Sequence, residues 1–114
     1  MAIIVTTSSP SSLLKAIYKA IDDNEVETWS YDSDGDFTHT PPQWKGKAWL
    51  HPKVYTGELR FGLLGQKDII MSKTIYGVYH GRFIEMLLAH FDTDFTRASA
   101  TAQKTEPDNF KYAT

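Results

Sequence analysis

The dipeptide Thr56-Gly57 constrains the fold of this chain more than any other feature of its sequence. Glycine supplies the backbone conformation that a two-residue hairpin turn needs, and β-forming residues flank it on both sides. A hairpin closed at this turn sets apolar residues opposite one another in three pairs: Val54 with Leu59, Pro52 with Phe61, and Leu50 with Leu63. Because side chains alternate between the two faces of a strand, this apolar face is expected to belong to the core.

The opposite face of the same hairpin is mixed in character. Its predicted pairs are Tyr55 with Glu58, Lys53 with Arg60, His51 with Gly62, and Trp49 with Leu64. Proline cannot donate a hydrogen bond to a neighbouring strand, so Pro52 predicts that strand 48–55 lies at a sheet edge or carries a bulge.

A second hairpin is predicted upstream, around the three-residue loop Ser33-Asp34-Gly35. It pairs Tyr31 with Phe37 and Trp29 with His39 on one face. Two prolines at positions 41 and 42 then interrupt the β pattern and predict an ordered surface loop.

Two helices are predicted by apolar spacing. Residues 10–22 are predicted to form the first helix, because Leu13, Leu14, Ile17, Tyr18 and Ile21 fall on one apolar stripe. Residues from about 73 to 92 form the second, although two glycines leave an alternative in which residues 72–80 are a strand up to about Tyr79. Residues 68–71 are a further candidate strand.

These elements predict an α+β fold. An antiparallel sheet of about four strands, arranged as two hairpins, packs one face against both helices. Residues 1–93 form a single domain, and residues 94–114 are expected to be a polar, mobile tail.

Several functional classes are excluded by what the sequence lacks. There is no cysteine, hence no disulfide framework, thiolate zinc site or cysteine nucleophile. The sequence contains no HExxH, GxSxG, phosphate-loop or dinucleotide motif, so no cofactor is predicted. The longest apolar runs are far shorter than the ~20 residues of a membrane span, and no secretory signal is present, which predicts a cytoplasmic protein.

Three aspartates at alternate positions, Asp32, Asp34 and Asp36, resemble the opening of a calcium loop and are a weak metal-site candidate. The calcium-loop pattern requires glycine at its sixth position and glutamate at its twelfth. Here the fourth position is Gly35 and the twelfth is Gln43, so a solvated acidic turn is favoured.

A cationic and aromatic group of residues is the main candidate for ligand binding. Its members are Trp44, Trp49, His51, Lys53 and Arg60, joined by His80 and Arg82 from the second helix. Aromatic rings interleaved with cations suit a small anionic ligand. The competing interpretation is a sheet face covered by the chain itself, with Trp29, Trp44 and Trp49 in the core, a pocket or an interface.

The function is therefore stated as two hypotheses. The first is a non-enzymatic interaction or regulatory module that self-associates, for example as a homodimer. Residues 1–43 carry two lysines against seven acidic residues, and residues 44–90 carry seven basic residues against three acidic ones, so a charge dipole can orient a second copy. The alternative is a small-molecule or anion-binding protein, or an enzyme with only a weak sequence signal, that uses the aromatic and cationic face of the 48–64 hairpin. Nucleic acid is a less favoured ligand because the chain is net acidic.

Overall fold

The computed structural model describes residues 1–110, which form six β-strands and two α-helices. In chain order these are β1 (Ile3–Thr6), α1 (Pro10–Asp22), β2 (Trp29–Tyr31), β3 (Phe37–His39), β4 (Ala48–Tyr55), β5 (Glu58–Gly65), α2 (Lys73–Phe91) and β6 (Arg97–Ala100). One sheet contains all six strands in the order β2-β3-β4-β5-β1-β6, and every strand pair is antiparallel. The α+β class is confirmed, and the predicted strand number of about four is corrected to six.

Both predicted hairpins form in the predicted register. Strands β4 and β5 pair from Ala48 with Gly65 to Tyr55 with Glu58, and β2 pairs with β3 so that Trp29 lies opposite His39. Gly57 has a φ of 77° and Gly35 a φ of 80°, the conformation for which glycine is favoured in both turns. Turn chemistry combined with strand alternation was sufficient to define these pairings.

Strand β4 departs from the prediction made for Pro52. The strand lies between β3 and β5 and is not an edge strand. However, β3 starts at Phe37, which pairs with Leu50, so Pro52 lies beyond the end of β3. Proline is tolerated there because only β5 flanks that part of the strand. Beyond this point Val54 is 44% exposed, whereas the prediction placed it in the core.

The two strands missing from the prediction lie at the chain ends. Strand β1 inserts beside β5, and β6 pairs with the other side of β1. Each has four residues, and each pairs with a strand distant in sequence. No turn motif connects either strand to its neighbour in the sheet, so sequence pattern alone carried little information about them.

Both predicted helices are present, and their predicted positions are correct in part. Helix α1 begins at Pro10 and ends at Asp22, and it buries Leu13, Ile17 and Ala20. Helix α2 is continuous from Lys73 and ends at Phe91, one residue before the predicted end, so the strand alternative for residues 72–80 is wrong. Its start is capped by Ser72, whose Oγ accepts a hydrogen bond from the Ile75 amide at 3.0 Å. Residues 68–71 do not form one of the six strands.

The core lies between the sheet and the two helices, on one face of the sheet. Phe37 of β3 contacts both helices. Its ring stacks on Tyr18 of α1, with a centroid distance of 5.0 Å, and lies 5.5 Å from the ring of Phe83 of α2. Trp29 is 2% exposed and packs edge-on against Phe83. These rings lie within contact distance of one another and form an aromatic core to which Trp29 belongs.

Residues 101–110 fold back on the sheet beside β5. Asn109 forms a parallel bridge with Leu64, and the side chain of Phe110 is buried. The predicted polar tail comprises residues 94–114. The structure places residues 97–100 of that range in β6, and residues 111–114 lie outside the described residues. Within residues 1–110, no helix has the length and apolar character needed to cross a bilayer.

Candidate functional site

The outer face of the β4–β5 hairpin, which carries Trp49, His51, Lys53, Tyr55 and Arg60, points away from the helices. Its charged groups are paired within the chain. His51 Nδ1 lies 2.7 Å from Asp36 Oδ1, and Arg60 Nε donates to Glu58 at 2.6 Å.

The segment after β6 covers part of this outer face. Lys53 donates to the Glu106 carboxylate at 3.2 Å, and Arg60 donates to the Glu106 carbonyl at 3.1 Å. Both cations also lie over the Tyr55 ring, 5.3 Å and 4.6 Å from its centre. The hydrogen-bonding capacity predicted for an anionic ligand is therefore largely used by the chain's own residues.

The three aspartates of the first hairpin come together as the sequence suggested, with one carboxylate oxygen of each within 4.8 Å of the others. Turn geometry accounts for this closeness. Asp32 Oδ1 accepts hydrogen bonds from the amides of Asp34 and Asp36, each at 3.0 Å. Asp36 is the partner of His51. The cluster is thus an acidic turn that is organised by its own backbone.

His80 is a structural residue of helix α2. It is 4% exposed, its Nδ1 lies 2.6 Å from the Tyr76 carbonyl, and its Nε2 contacts the Met1 carbonyl. Burial lowers the pKa of His80, and the two carbonyl oxygens oppose that shift. Because both ring nitrogens face backbone carbonyls in the core, neither is open to a ligand.

A cavity elsewhere in the molecule is lined by polar side chains that are not all hydrogen-bonded within residues 1–110. Between α2 and the β2–β3 edge of the sheet lies a cavity of two lobes, of about 260 and 240 Å³, here called the His39 cavity. Both lobes are lined by Thr28, His39, Arg82 and Glu85. The first lobe adds Glu25, Val26, Glu27, Met86, Ala89 and His90, and the second adds Pro41, Gln43 and Trp44.

His39 is the central residue of this cavity. It is 5% exposed and packs on Trp29 at a ring distance of 4.6 Å. Its Nδ1 lies 2.8 Å from the Thr28 carbonyl, an acceptor only, so Nδ1 carries the proton. In the neutral ring Nε2 is then a lone-pair acceptor; it has no hydrogen-bond partner among residues 1–110, and it opens into the cavity, since the enclosed atoms without a partner are Trp29 Nε1 and Tyr55 Oη.

The protonation state of His39 follows from its surroundings. Burial lowers its pKa, and the Arg82 guanidinium lowers it further. The hydrogen bond to the Thr28 carbonyl and the Glu85 carboxylate act in the opposite direction and are outweighed. Near neutral pH the ring is therefore uncharged, and Nε2 can accept a hydrogen bond or a proton from a bound molecule.

Two charged residues of α2 separate the lobes. Arg82 and Glu85 are three residues apart on the helix, and Arg82 Nη1 lies 3.2 and 3.4 Å from the two carboxylate oxygens. Both side chains are more than half exposed. An exposed pair at this spacing is weak, so either partner can turn toward a ligand at little free-energy cost.

Hydrogen bonds from helix α2 and strand β3 fix the loop that forms one wall of the second lobe. Tyr79 of α2 donates its hydroxyl hydrogen to the Trp44 carbonyl, and Thr38 Oγ1 accepts from the Gly46 amide at 3.1 Å. These bonds fix the loop of residues 40–47 against the helix. Trp44 is thereby presented to the cavity as part of an ordered wall.

A larger cavity, of about 410 Å³, lies at the start of α1. Its lining consists of small hydroxyl and apolar residues with one carboxylate, namely Ser8, Ser9, Ser12, Leu13, Ala16, Thr93 and Asp94. The carboxylate opposes binding of an anion at the helix terminus. This cavity contains no buried titratable group without a partner, so it is a weaker candidate than the His39 cavity.

Of the seven residues predicted to bind a ligand, the His39 cavity contains Trp44 and Arg82. Four lie on the outer face of the β4–β5 hairpin, and His80 lies in the core. The prediction missed His39, Glu85 and Thr28. A signal for His39 was present, because the predicted register placed a histidine opposite Trp29 on the apolar face of the first hairpin.

Comparison with protein-family models, with curated proteins and with solved structures finds no match for this chain. Its function is therefore inferred from the geometry of the site alone.

Proposed function

We propose that this chain binds a small polar molecule in the His39 cavity. The observation that carries the proposal is the state of His39, a nearly buried imidazole with one nitrogen bonded to the backbone and the other without a protein partner. An acceptor atom that opens into a cavity is hydrogen-bonded either by water or by a bound molecule. A ligand that donates a hydrogen bond to Nε2 would give both ring nitrogens of His39 a hydrogen-bond partner.

The environment of His39 also supports ligand binding. A buried histidine with a shifted pKa, located in a cleft beside a guanidinium and a carboxylate, is the kind of group found at functional sites. Each lobe is smaller than the roughly 300–1,000 Å³ typical of drug-sized ligands. The expected ligand therefore has few heavy atoms.

Titration of ¹⁵N-labelled protein with a panel of small amines, carboxylates, polyols and inorganic phosphate tests this proposal. A ligand of the cavity is expected to shift the amide signals of Thr28, His39, Trp44 and Arg82 in a saturable way. The His39→Phe variant keeps the ring and removes the acceptor, so it should lose the response. His51→Phe, which alters a histidine on the outer face, should retain it.

Two outcomes contradict the proposal. One is that no compound in the panel produces saturable shifts at those four residues at millimolar concentration. The other is that a compound shifts them equally in wild type and in His39→Phe, because binding would then be independent of the atom on which the proposal rests.

A separate observation favours self-association as a second candidate function. Strand β6 lies at the end of the sheet, and three of its four residues are exposed. An edge strand offers unpaired backbone groups to a second chain, and β6 contains neither proline nor a bulge that would oppose pairing. Two copies meeting edge to edge would extend the sheet across a two-fold axis.

Light scattering coupled to gel filtration tests this second candidate. A dimer mass at tens of micromolar is expected, together with a monomer mass for Ala100→Lys, which places a charge on the edge of each copy. A monomer mass for the wild type at that concentration removes the candidate, as does a dimer that Ala100→Lys leaves unchanged.

A further inference from the structure

We infer that the ligand of the His39 cavity is a small organic cation, such as a protonated amine, and not an anion. This inference rests on the proposed function and adds the chemical class of the ligand. It reverses the expectation drawn from the sequence, which associated the cationic and aromatic residues with an anionic ligand.

Hydrogen-bond acceptors dominate the cavity. His39 Nε2 is an acceptor because Nδ1 donates to the Thr28 carbonyl. Glu85 lines both lobes, Glu25 and Glu27 line the first, and an ionised carboxylate only accepts. A ligand rich in N–H donors matches this set, whereas a carboxylate or phosphate brings acceptors to face acceptors.

The charge balance of the cavity points the same way. Three acidic residues line the first lobe and one of them, Glu85, also lines the second, whereas Arg82 is the only permanent cation among the described residues that line either lobe. Arg82 already faces Glu85 at 3.2 Å, so its charge is partly matched before any ligand arrives. An anion in the first lobe would also approach Glu25 and Glu27, and like charges brought together in a cleft disfavour binding.

Trp44 adds an aromatic wall to the second lobe. The face of an indole attracts cations, and the attraction strengthens where water is excluded. Trp44 is partly buried, and its loop is held by the hydroxyl of Tyr79. A cation bound between the Trp44 ring and the Glu85 carboxylate would also be within the lobe that His39 lines.

Three ligands of equal chain length separate charge from size: 1,4-diaminobutane, 1,4-butanediol and succinate. We expect calorimetry and ¹⁵N titration to show that the diamine binds at least tenfold more tightly than the other two. Its amide shifts should centre on His39 and Glu85 and disappear in His39→Phe.

Two substitutions on α2 should move the diamine affinity in opposite directions. Glu85→Gln removes the central carboxylate and is expected to weaken binding about tenfold. Arg82→Gln removes the competing cation and releases Glu85, so it is expected to strengthen diamine binding several-fold. Asp34→Asn is the matched control, since it removes one negative charge from the acidic turn and should leave the affinity unchanged.

Each result decides a definite question. Preferred binding of succinate at His39 would overturn the inference while leaving the proposed function intact, and so would equal binding of the diol. Diamine binding that Glu85→Gln and Asp34→Asn weaken equally would indicate general attraction to an acidic protein and overturn the inference as well. Absence of any ligand from the wider panel would remove the proposed function itself.

Discussion

The outer face of the β4–β5 hairpin and the His39 cavity contain the same kinds of side chain, yet they differ in whether those side chains already have partners. On the outer face, His51 contacts Asp36, Arg60 contacts Glu58, and Lys53 contacts Glu106. In the cavity, His39 keeps one nitrogen that opens into the cavity without a protein partner among the described residues, whereas the unpartnered Tyr55 Oη of the outer face is enclosed. Unused hydrogen-bonding capacity therefore identifies a candidate site better than residue type does.

The difference arises from the C-terminal segment. Residues 101–110 pass along β5 and place Pro107 directly against Gly62, so the outer face is partly closed by the chain itself. No such segment covers the His39 cavity within residues 1–110. Variants that release the segment or fill the cavity therefore test whether the two regions differ as described.

The largest effect is expected for Asp108→Ala, which removes the main attachment of the C-terminal segment. The Asp108 carboxylate is fully buried and accepts hydrogen bonds from the Leu63 amide at 2.6 Å and the Thr105 amide at 2.8 Å. Alanine leaves both buried donors without an acceptor, so the free energy of unfolding should fall by about 3 kcal/mol in urea denaturation. Amide exchange should also accelerate in residues 105–110.

Asp34→Ala is the control for that substitution, because it removes an exposed carboxylate and should change stability by less than about 0.5 kcal/mol. If the two alanine variants were equally stable, the C-terminal segment would not be a packed part of the fold. The outer face would then be open, and the contrast with the His39 cavity would be lost.

Gly62→Ala is expected to have the next largest effect. A methyl group built at this position would lie 2.5 Å from the Pro107 carbonyl carbon and 2.6 Å from its ring. Backbone atoms cannot yield as a flexible side chain does, so overpacking should lower the free energy of unfolding by about 1–3 kcal/mol.

Gly81→Ala is the matched control for Gly62→Ala, with the opposite expected sign. Nothing lies within 4 Å of a methyl group at Gly81, and the residue is inside α2. Alanine should therefore raise the free energy of unfolding by about 0.5–1 kcal/mol. Stabilisation by Gly62→Ala would show that Pro107 does not lie against β5.

How much of this molecule the sequence predicts depends on how local each interaction is. The turn at Gly57 defines the register of β4 and β5 because the loop has two residues, and the apolar stripe defines α1. Strand β1 and the bridge from Leu64 to Asn109 depend on contacts between the chain ends and the centre. No local pattern encodes such long-range pairing.

The candidate site was predictable only in part for the same reason. Trp44 and Arg82 were identified by residue type, but their closeness to His39 depends on how α2 crosses the β2–β3 edge. The pairing of Lys53 with Glu106 likewise depends on the path of the C-terminal segment. Residue type indicated what chemistry was possible, and tertiary structure determined where that chemistry remained unused.

A smaller change in stability should distinguish the two buried histidines, His80 and His39. His80→Phe removes the two ring nitrogens that contact the carbonyls of Tyr76 and Met1. The free energy of unfolding should fall by about 1–2 kcal/mol. His39→Phe should change it by less than about 1 kcal/mol, because the Thr28 carbonyl still accepts from the Thr40 amide at 2.9 Å. Thermal and urea unfolding of both variants would measure the difference. A larger loss of stability in His39→Phe than in His80→Phe would contradict the assignment of His80 as the structural histidine of the two.

The smallest effect concerns pH and belongs to His39. Its pKa is lowered by burial and by Arg82, while the Thr28 carbonyl and Glu85 oppose the shift, and Glu25, Glu27 and His90 line the same cavity. In the unfolded chain the ring has an ordinary pKa of about 6.5. Below that pH the unfolded state binds more protons than the folded state, so acidification from pH 7.5 toward 5 should destabilise the wild type.

His39→Phe lacks this contribution, so the variant should lose less stability than the wild type over the same range of pH. His80 and the carboxylates titrate in both proteins, and their contributions cancel in the difference between them. Urea unfolding at pH 7.5, 6.5 and 5.5 would measure that difference directly. Parallel pH profiles would mean that His39 accepts a proton in the folded state as easily as in the unfolded one, and the cavity would then hold no uncharged acceptor to distinguish it from the outer face.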